Sequence, residues 1–111
     1  MRTANPVPVV SRRMADPIHT TTVRANLLVA GRVQGVGYRA FSVRVASERG
    51  LSGTVRNLDD GRVELEVEGP KDRIEALIVA LKQGPPASHV MAVEAEWGPA
   101  TGRFREFRIR Y

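Results

Sequence analysis

Residues 62–68 read Arg-Val-Glu-Leu-Glu-Val-Glu, and this strict alternation leaves the segment little choice of structure. Successive side chains of a strand point to opposite faces, so Val63, Leu65 and Val67 share one face. Arg62, Glu64, Glu66 and Glu68 share the other. The segment predicts a strand in a sheet with one buried and one solvated face, as antiparallel sheets commonly have. The period changes after Gly69-Pro70. Ile74, Leu77, Ile78 and Leu81 recur at i, i+3, i+4 and i+7, which predicts a helix laying one apolar stripe on that sheet. Pro70 suits the first helical position, and Gly84-Pro85-Pro86 ends the helix.

The same two periods order the rest of the chain. Val23, Ala25, Leu27 and Val29 predict a strand that ends at Gly31. A helix follows from about Tyr38 to Arg49, with Tyr38, Phe41 and Val45 on one face beside small Ser42 and Ala46, and Gly50 as its stop. A second strand over about 51–58 runs into Asp59-Asp60-Gly61, a hairpin turn in which glycine accepts positive φ. Met91, Val93, Ala95 and Trp97 alternate as a fourth strand, and Phe107, Ile109 and Tyr111 as a short fifth. The order is βαββαβ. Right-handed β-α-β crossovers put both helices on one side. The expected fold is therefore α+β: a ferredoxin-like βαββαβ sandwich, an antiparallel sheet with two helices on one face. That fold hosts many unrelated activities, so function has to come from a site.

A chain of 111 residues makes one domain. Residues 1–21 show no periodicity and carry Pro6 and Pro8, and read as a disordered leader to a domain over 22–111. Val7 to Val10 is too short, and too broken by Pro8, for a secretory signal. There is no cysteine, which excludes a disulfide scaffold, a thiolate zinc site, an iron–sulfur cluster and cysteine catalysis. It also suits a reducing cytoplasm, the expected location. No apolar run approaches the roughly 20 residues of a membrane helix. His19 and His89 stand far apart, which argues against a histidine metal centre or a Ser-His-Asp triad.

Seventeen Lys and Arg against twelve Asp and Glu give a net charge of +5, and all but Lys71 and Lys82 of the basic residues are arginine. Such a balance invites nucleic acid, anionic lipid or a small anion as partner. Only 5% of residues are aromatic, and the third strand presents glutamates where an RNA platform needs stacking rings. The expectation is a monomer that engages neither nucleic acid nor membrane.

The unusual local feature is Gly31-Arg-Val-Gln-Gly-Val-Gly-Tyr-Arg39, with three glycines between a strand and a helix. Glycines let backbone N–H groups converge in a concave nest. A helix start adds unpaired N–H groups and the positive end of its dipole, which together favour phosphate. Arg39 at that start can grip two phosphate oxygens through its planar fork. The loop is not a Walker A loop, because no Lys-Ser/Thr follows the last glycine, and position 40 is Ala where Gly-x-Gly-x-x-Gly needs glycine. On these grounds alone it is either a plain strand-to-helix turn or a small-anion cradle.

At this point the sequence resembles the acylphosphatase family. One family signature resembles Gly-x-Val-Gln-Gly-Val-x-Phe/Tyr-Arg and stands here as residues 31–39. The second resembles Gly-x-Val-Arg/Lys-Asn and stands as Gly53-Thr-Val-Arg-Asn57, followed by the Asp60-Gly61 turn. The resemblance runs from about Val23 to the Phe-x-Ile-x-Tyr ending and omits the leader. It implies a ferredoxin-like enzyme that hydrolyses small acyl phosphates to a carboxylate and inorganic phosphate, without metal or cofactor. It implies that Arg39 binds the phosphate and that Asn57 positions the attacking water. It implies that the N–H groups of Gln34, Gly35, Val36, Gly37 and Tyr38 form the cradle, and that inorganic phosphate is product and competitive inhibitor. Thr54 and Tyr38 depart from the family's frequent Trp and Phe, which touches packing more than chemistry.

Overall fold

The computed structural model describes residues 21–111, so the expected leader lies outside the described residues apart from Thr21. The elements are β1 (Thr22–Arg32), α1 (Tyr38–Glu48), β2 (Ser52–Asn57), β3 (Val63–Pro70), α2 (Lys71–Gln83), β4 (His89–Pro99) and β5 (Phe107–Ile109). Two β-α-β crossovers and a five-stranded sheet in the order β4-β1-β3-β2-β5 result. The alternating strands set the register: Leu27 opposes Leu65, Val29 opposes Val63, and Val55 opposes Leu65 from the other side. Their inward faces are fully buried under Tyr38, Val45 and Ala46 of α1 and Ile74, Leu77 and Leu81 of α2. Both helices thus lie on one face of the sheet, as the apolar stripes predict.

Helix ends follow the sequence closely. Gly50 N–H donates to the Ser47 carbonyl and Leu51 N–H to that of Ala46, both at 3.0 Å, which is the glycine-terminated Schellman pattern. Gly84 N–H closes α2 on the Ala80 carbonyl at 3.0 Å. Pro70 stands one position earlier than expected: its ψ of 139° is extended, and α2 begins at Lys71.

Three expectations need correction. The sheet is mixed, because β5 runs parallel to β2, with Gly53 opposite Phe107 and Val55 opposite Ile109. The cause is topological. β4 is antiparallel to β1 at one edge, so the chain leaves it at the sheet end where β2 begins. A strand entered from that end at the far edge must run alongside β2. Met91 does not share the inward face that its alternation with Val93 predicts: it is 75% exposed. A bulge between Ala30 and Gly31 shifts the register so that Gly31 opposes Val90, and the inward positions become Val90 and Val93. Finally, the outer face of β3 is not simply solvated: Glu68 is only 3% exposed.

Candidate active site

The cradle loop occupies residues 33–37, between the end of β1 and the start of α1. Gly35 (φ 74°) and Gly37 (φ 80°) are both left-handed, a conformation that residues with a Cβ rarely adopt. Gly37 is the N-cap of α1, yet no side chain caps the helix and no acidic residue stands in its first turn. The first helical bond runs from Phe41 N–H to the Gly37 carbonyl at 3.0 Å, so the N–H groups just before it have no intrahelical partner. Among the described residues neither a side-chain cap nor an acidic residue of the first turn offsets the positive end of the helix dipole there.

Tyr38, at the first position of α1, is anchored deep in the core. Its hydroxyl donates to the Leu81 carbonyl at 2.8 Å, and burial pushes its phenol pKa up, so it stays protonated. Its carbonyl accepts from the Ser42 hydroxyl at 2.8 Å. That anchorage fixes the helix start, and with it Arg39. The Arg39 side chain is half-buried, has no carboxylate partner among the described residues, and lies 5.4 Å from the centroid of the Tyr111 ring.

Asn57 ends β2, next in the sheet to β5. Gly53 sets where β2 lies: a Cβ there would come within 1.8 Å of the Glu66 carbonyl oxygen. Asn57 Oδ1 is buried and has no hydrogen-bond partner, the one such side-chain atom among the described residues. An unpaired buried carbonyl costs about 1–3 kcal/mol, which singles Asn57 out as a candidate site residue.

A cleft of about 160 Å³ brings these parts together, lined by Val33, Gly35, Gly37, Tyr38, Arg39, Ala40, Asn57 and Ile109. Arg39 and Asn57, which are 18 positions apart in sequence, face one space. Of the expected cradle residues, Gly35, Gly37 and Tyr38 line it, while Gln34 and Val36 stand behind. Val36 packs against the core, and the Gln34 side chain reaches the β2–β3 turn. Val33, Ala40 and Ile109 were not singled out from the sequence as site residues. For Ile109 the Phe-x-Ile-x-Tyr alternation was a usable signal.

The acylphosphatase family model matches residues 25–109. The chain belongs to the acylphosphatase family. An acylphosphatase of Thermus thermophilus is 57% identical over 75 residues, covering 68% of this chain and 85% of that relative. One of Methylococcus capsulatus is 50% identical over 86 residues, covering 78% of this chain and 94% of the relative. The crystal structure of acylphosphatase from Bacillus subtilis superposes with a TM-score of 0.78 at 38% identity, covering 80% of this chain and 99% of the other. The ferredoxin-like fold is therefore the acylphosphatase fold, and the chain is an enzyme that hydrolyses acyl phosphates. Among the described residues no helix is long and apolar enough to cross a membrane.

Proposed function

We propose that this acylphosphatase holds the phosphoryl group of its substrate with Arg39 and the backbone N–H groups of residues 34–38, and that Asn57 positions the attacking water. The observation that carries this reading is the shared cleft of Arg39, Gly35, Gly37 and Asn57 at an uncapped helix start. Its volume of about 160 Å³ is below the roughly 300–1,000 Å³ of drug-sized pockets, which suits a phosphoryl group with a small acyl portion outside.

The chemistry asks little more. Water oxygen bonds to phosphorus as the bond from phosphorus to the acyl oxygen breaks. The leaving carboxylate is a weak base and needs no general acid. Charge spreads over the equatorial phosphoryl oxygens, where the Arg39 fork and the N–H cradle meet it in a preorganised array. Asn57 is too weak a base to take the water's proton, which passes late to a phosphate oxygen. Its amide can accept from the water and hold it in line. No metal or cofactor enters this scheme.

The reading has the enzyme acting as a cytoplasmic monomer, without nucleic acid or membrane as partner, through residues 22–111. The test is benzoyl phosphate hydrolysis in the presence of a chelator. Turnover unaffected by the chelator and competitively inhibited by inorganic phosphate is expected, both in the full chain and in a chain begun at Thr22. Chelator-sensitive turnover, or inhibition not competitive with substrate, overturns it.

A further inference from the structure

Gln34 belongs to the cradle only through its backbone. Its side chain is turned the other way, across 24 residues of sequence, to the turn between β2 and β3. Nε2 donates to the Leu58 carbonyl at 2.8 Å and to the Arg62 carbonyl at 2.9 Å. A primary amide has two N–H donors, so both are used. The same two carbonyls close the neck of the turn. Leu58 N–H donates to the Arg62 carbonyl at 2.8 Å, and Gly61 N–H to the Leu58 carbonyl at 3.2 Å. Each carbonyl therefore accepts two bonds, which fills its lone pairs.

Asn57 immediately precedes this neck. Its pairing with Val63 is the last step of the β2–β3 ladder, and its own Oδ1 is unbonded. The side chain that has to hold a water thus takes its position from the backbone on either side. Among the described residues the hydrogen-bonded tie from that backbone to the cradle loop is the Gln34 amide.

We propose that Gln34 is a positioning residue for hydrolysis: its amide sets the spacing between the phosphate cradle and Asn57, and so the line along which water attacks. This rests on the roles given to Arg39 and Asn57 above. Gln34 touches neither water nor phosphoryl group through its side chain; it acts through Asn57.

The variant that isolates the amide is Gln34→Met, close in size and without donors. The Leu58 and Arg62 carbonyls each keep one partner within the turn, so the fold is retained. Four full-length proteins are compared on benzoyl phosphate: wild type, Gln34→Met, Asn57→Ala and the double variant. Because misplacement of about 1 Å can cost about 100-fold in rate, Gln34→Met is expected to lower kcat at least about tenfold, with the phosphate inhibition constant held within about twofold. The double variant is expected to fall no further than Asn57→Ala, because a residue acting through Asn57 has nothing left to position. An unchanged kcat in Gln34→Met overturns the proposal. So does a loss that adds in full to that of Asn57→Ala, or one that tracks weakened phosphate inhibition and a lowered thermal midpoint. Asn57→Ala with wild-type turnover instead removes the underlying reading, and the single variant shows this separately.

Discussion

Arg39 is distinguished by its place at the cleft rather than by its charge. Arg24, Arg56, Arg62, Arg103, Arg108 and Arg110 each pair with a carboxylate, whereas Arg39, like Arg44, lies against an aromatic ring with no carboxylate partner among the described residues. Arg39→Lys keeps the charge and loses the planar fork. We expect it to weaken phosphate inhibition and to lower turnover by about 100-fold or more, on the scale of removing a transition-state donor. Turnover close to wild type would remove Arg39 from the site. Tyr38 carries a second residue-level prediction. Tyr38→Phe leaves the Leu81 carbonyl, at the end of α2, without its hydroxyl partner. The expected loss is about 1–2 kcal/mol, a fall of about 5–10 °C in thermal midpoint for a domain of this size. An unchanged midpoint would mean that another donor or solvent replaces the bond. Arg39 and Asn57 can be named as candidates from the sequence because each closes a short contiguous motif. The roles of the Gln34 amide and the Tyr38 hydroxyl cannot, because their acceptors lie 24 and 43 positions away and are backbone atoms, which leave no signature in a sequence.

At the scale of elements, periodicity predicted β1, β3 and α2 well, since each buries a regular stripe against a partner. It failed where pairing is irregular. The bulge that turns Met91 outward depends on how β4 meets β1, not on the order of residues in β4. Glu68 shows the same limit: its alternation with Val67 puts it on the outer face, but not what covers it. Residues 100–106 cross from β4 to β5, and Glu68 holds them by accepting from Thr101 N–H at 2.9 Å, the Thr101 hydroxyl at 2.6 Å and Gly102 N–H at 2.9 Å. Burial pushes its carboxyl pKa up, but those bonds, with Arg103 nearby, outweigh it and leave the pKa below its ordinary value of 4.5. A depressed pKa means stability that is present above that value and lost as pH falls through the lower folded value. Glu68→Gln is expected to cost about 1–3 kcal/mol at pH 7. In denaturation curves the gap to wild type should close as pH falls through the lowered carboxyl pKa, where wild type is itself protonated. A gap constant from pH 7 to pH 3 would show that Glu68 holds the loop by shape and not by charge.

For the molecule as a whole, the charge that first suggested nucleic acid is distributed in a way that disfavours it. Three arginines and one aspartate of the leader supply +2 of the net +5, leaving +3 on residues 22–111. On the outer face of the sheet much of the positive charge is already spent on carboxylates. Glu64 takes Arg56 at 2.8 Å, and Glu66 takes Arg103 at 2.7 Å and Arg24 at 3.6 Å. Such half-exposed pairs add little to stability, about 0–1 kcal/mol each, but they turn the charge of Arg24, Arg56 and Arg103 toward carboxylates rather than toward a phosphodiester backbone. The cleft itself holds one cation, Arg39, without a carboxylate partner among the described residues, which suits it to a small anion. Raising salt from 0.05 to 0.5 M shortens the Debye length severalfold, so kcat/KM for benzoyl phosphate should fall roughly threefold while kcat moves less. A short oligonucleotide should neither inhibit at physiological salt nor bind with the steep salt dependence of a phosphate-tracking protein. If it did both, and kcat/KM were indifferent to salt, the outer face rather than the cleft would govern what this molecule attracts. The separation follows from the fold. Alternation sends the Glu64, Glu66 and Glu68 carboxylates to the sheet face opposite the helices, while the loop into α1 leaves Arg39 at the cleft without a carboxylate partner among the described residues.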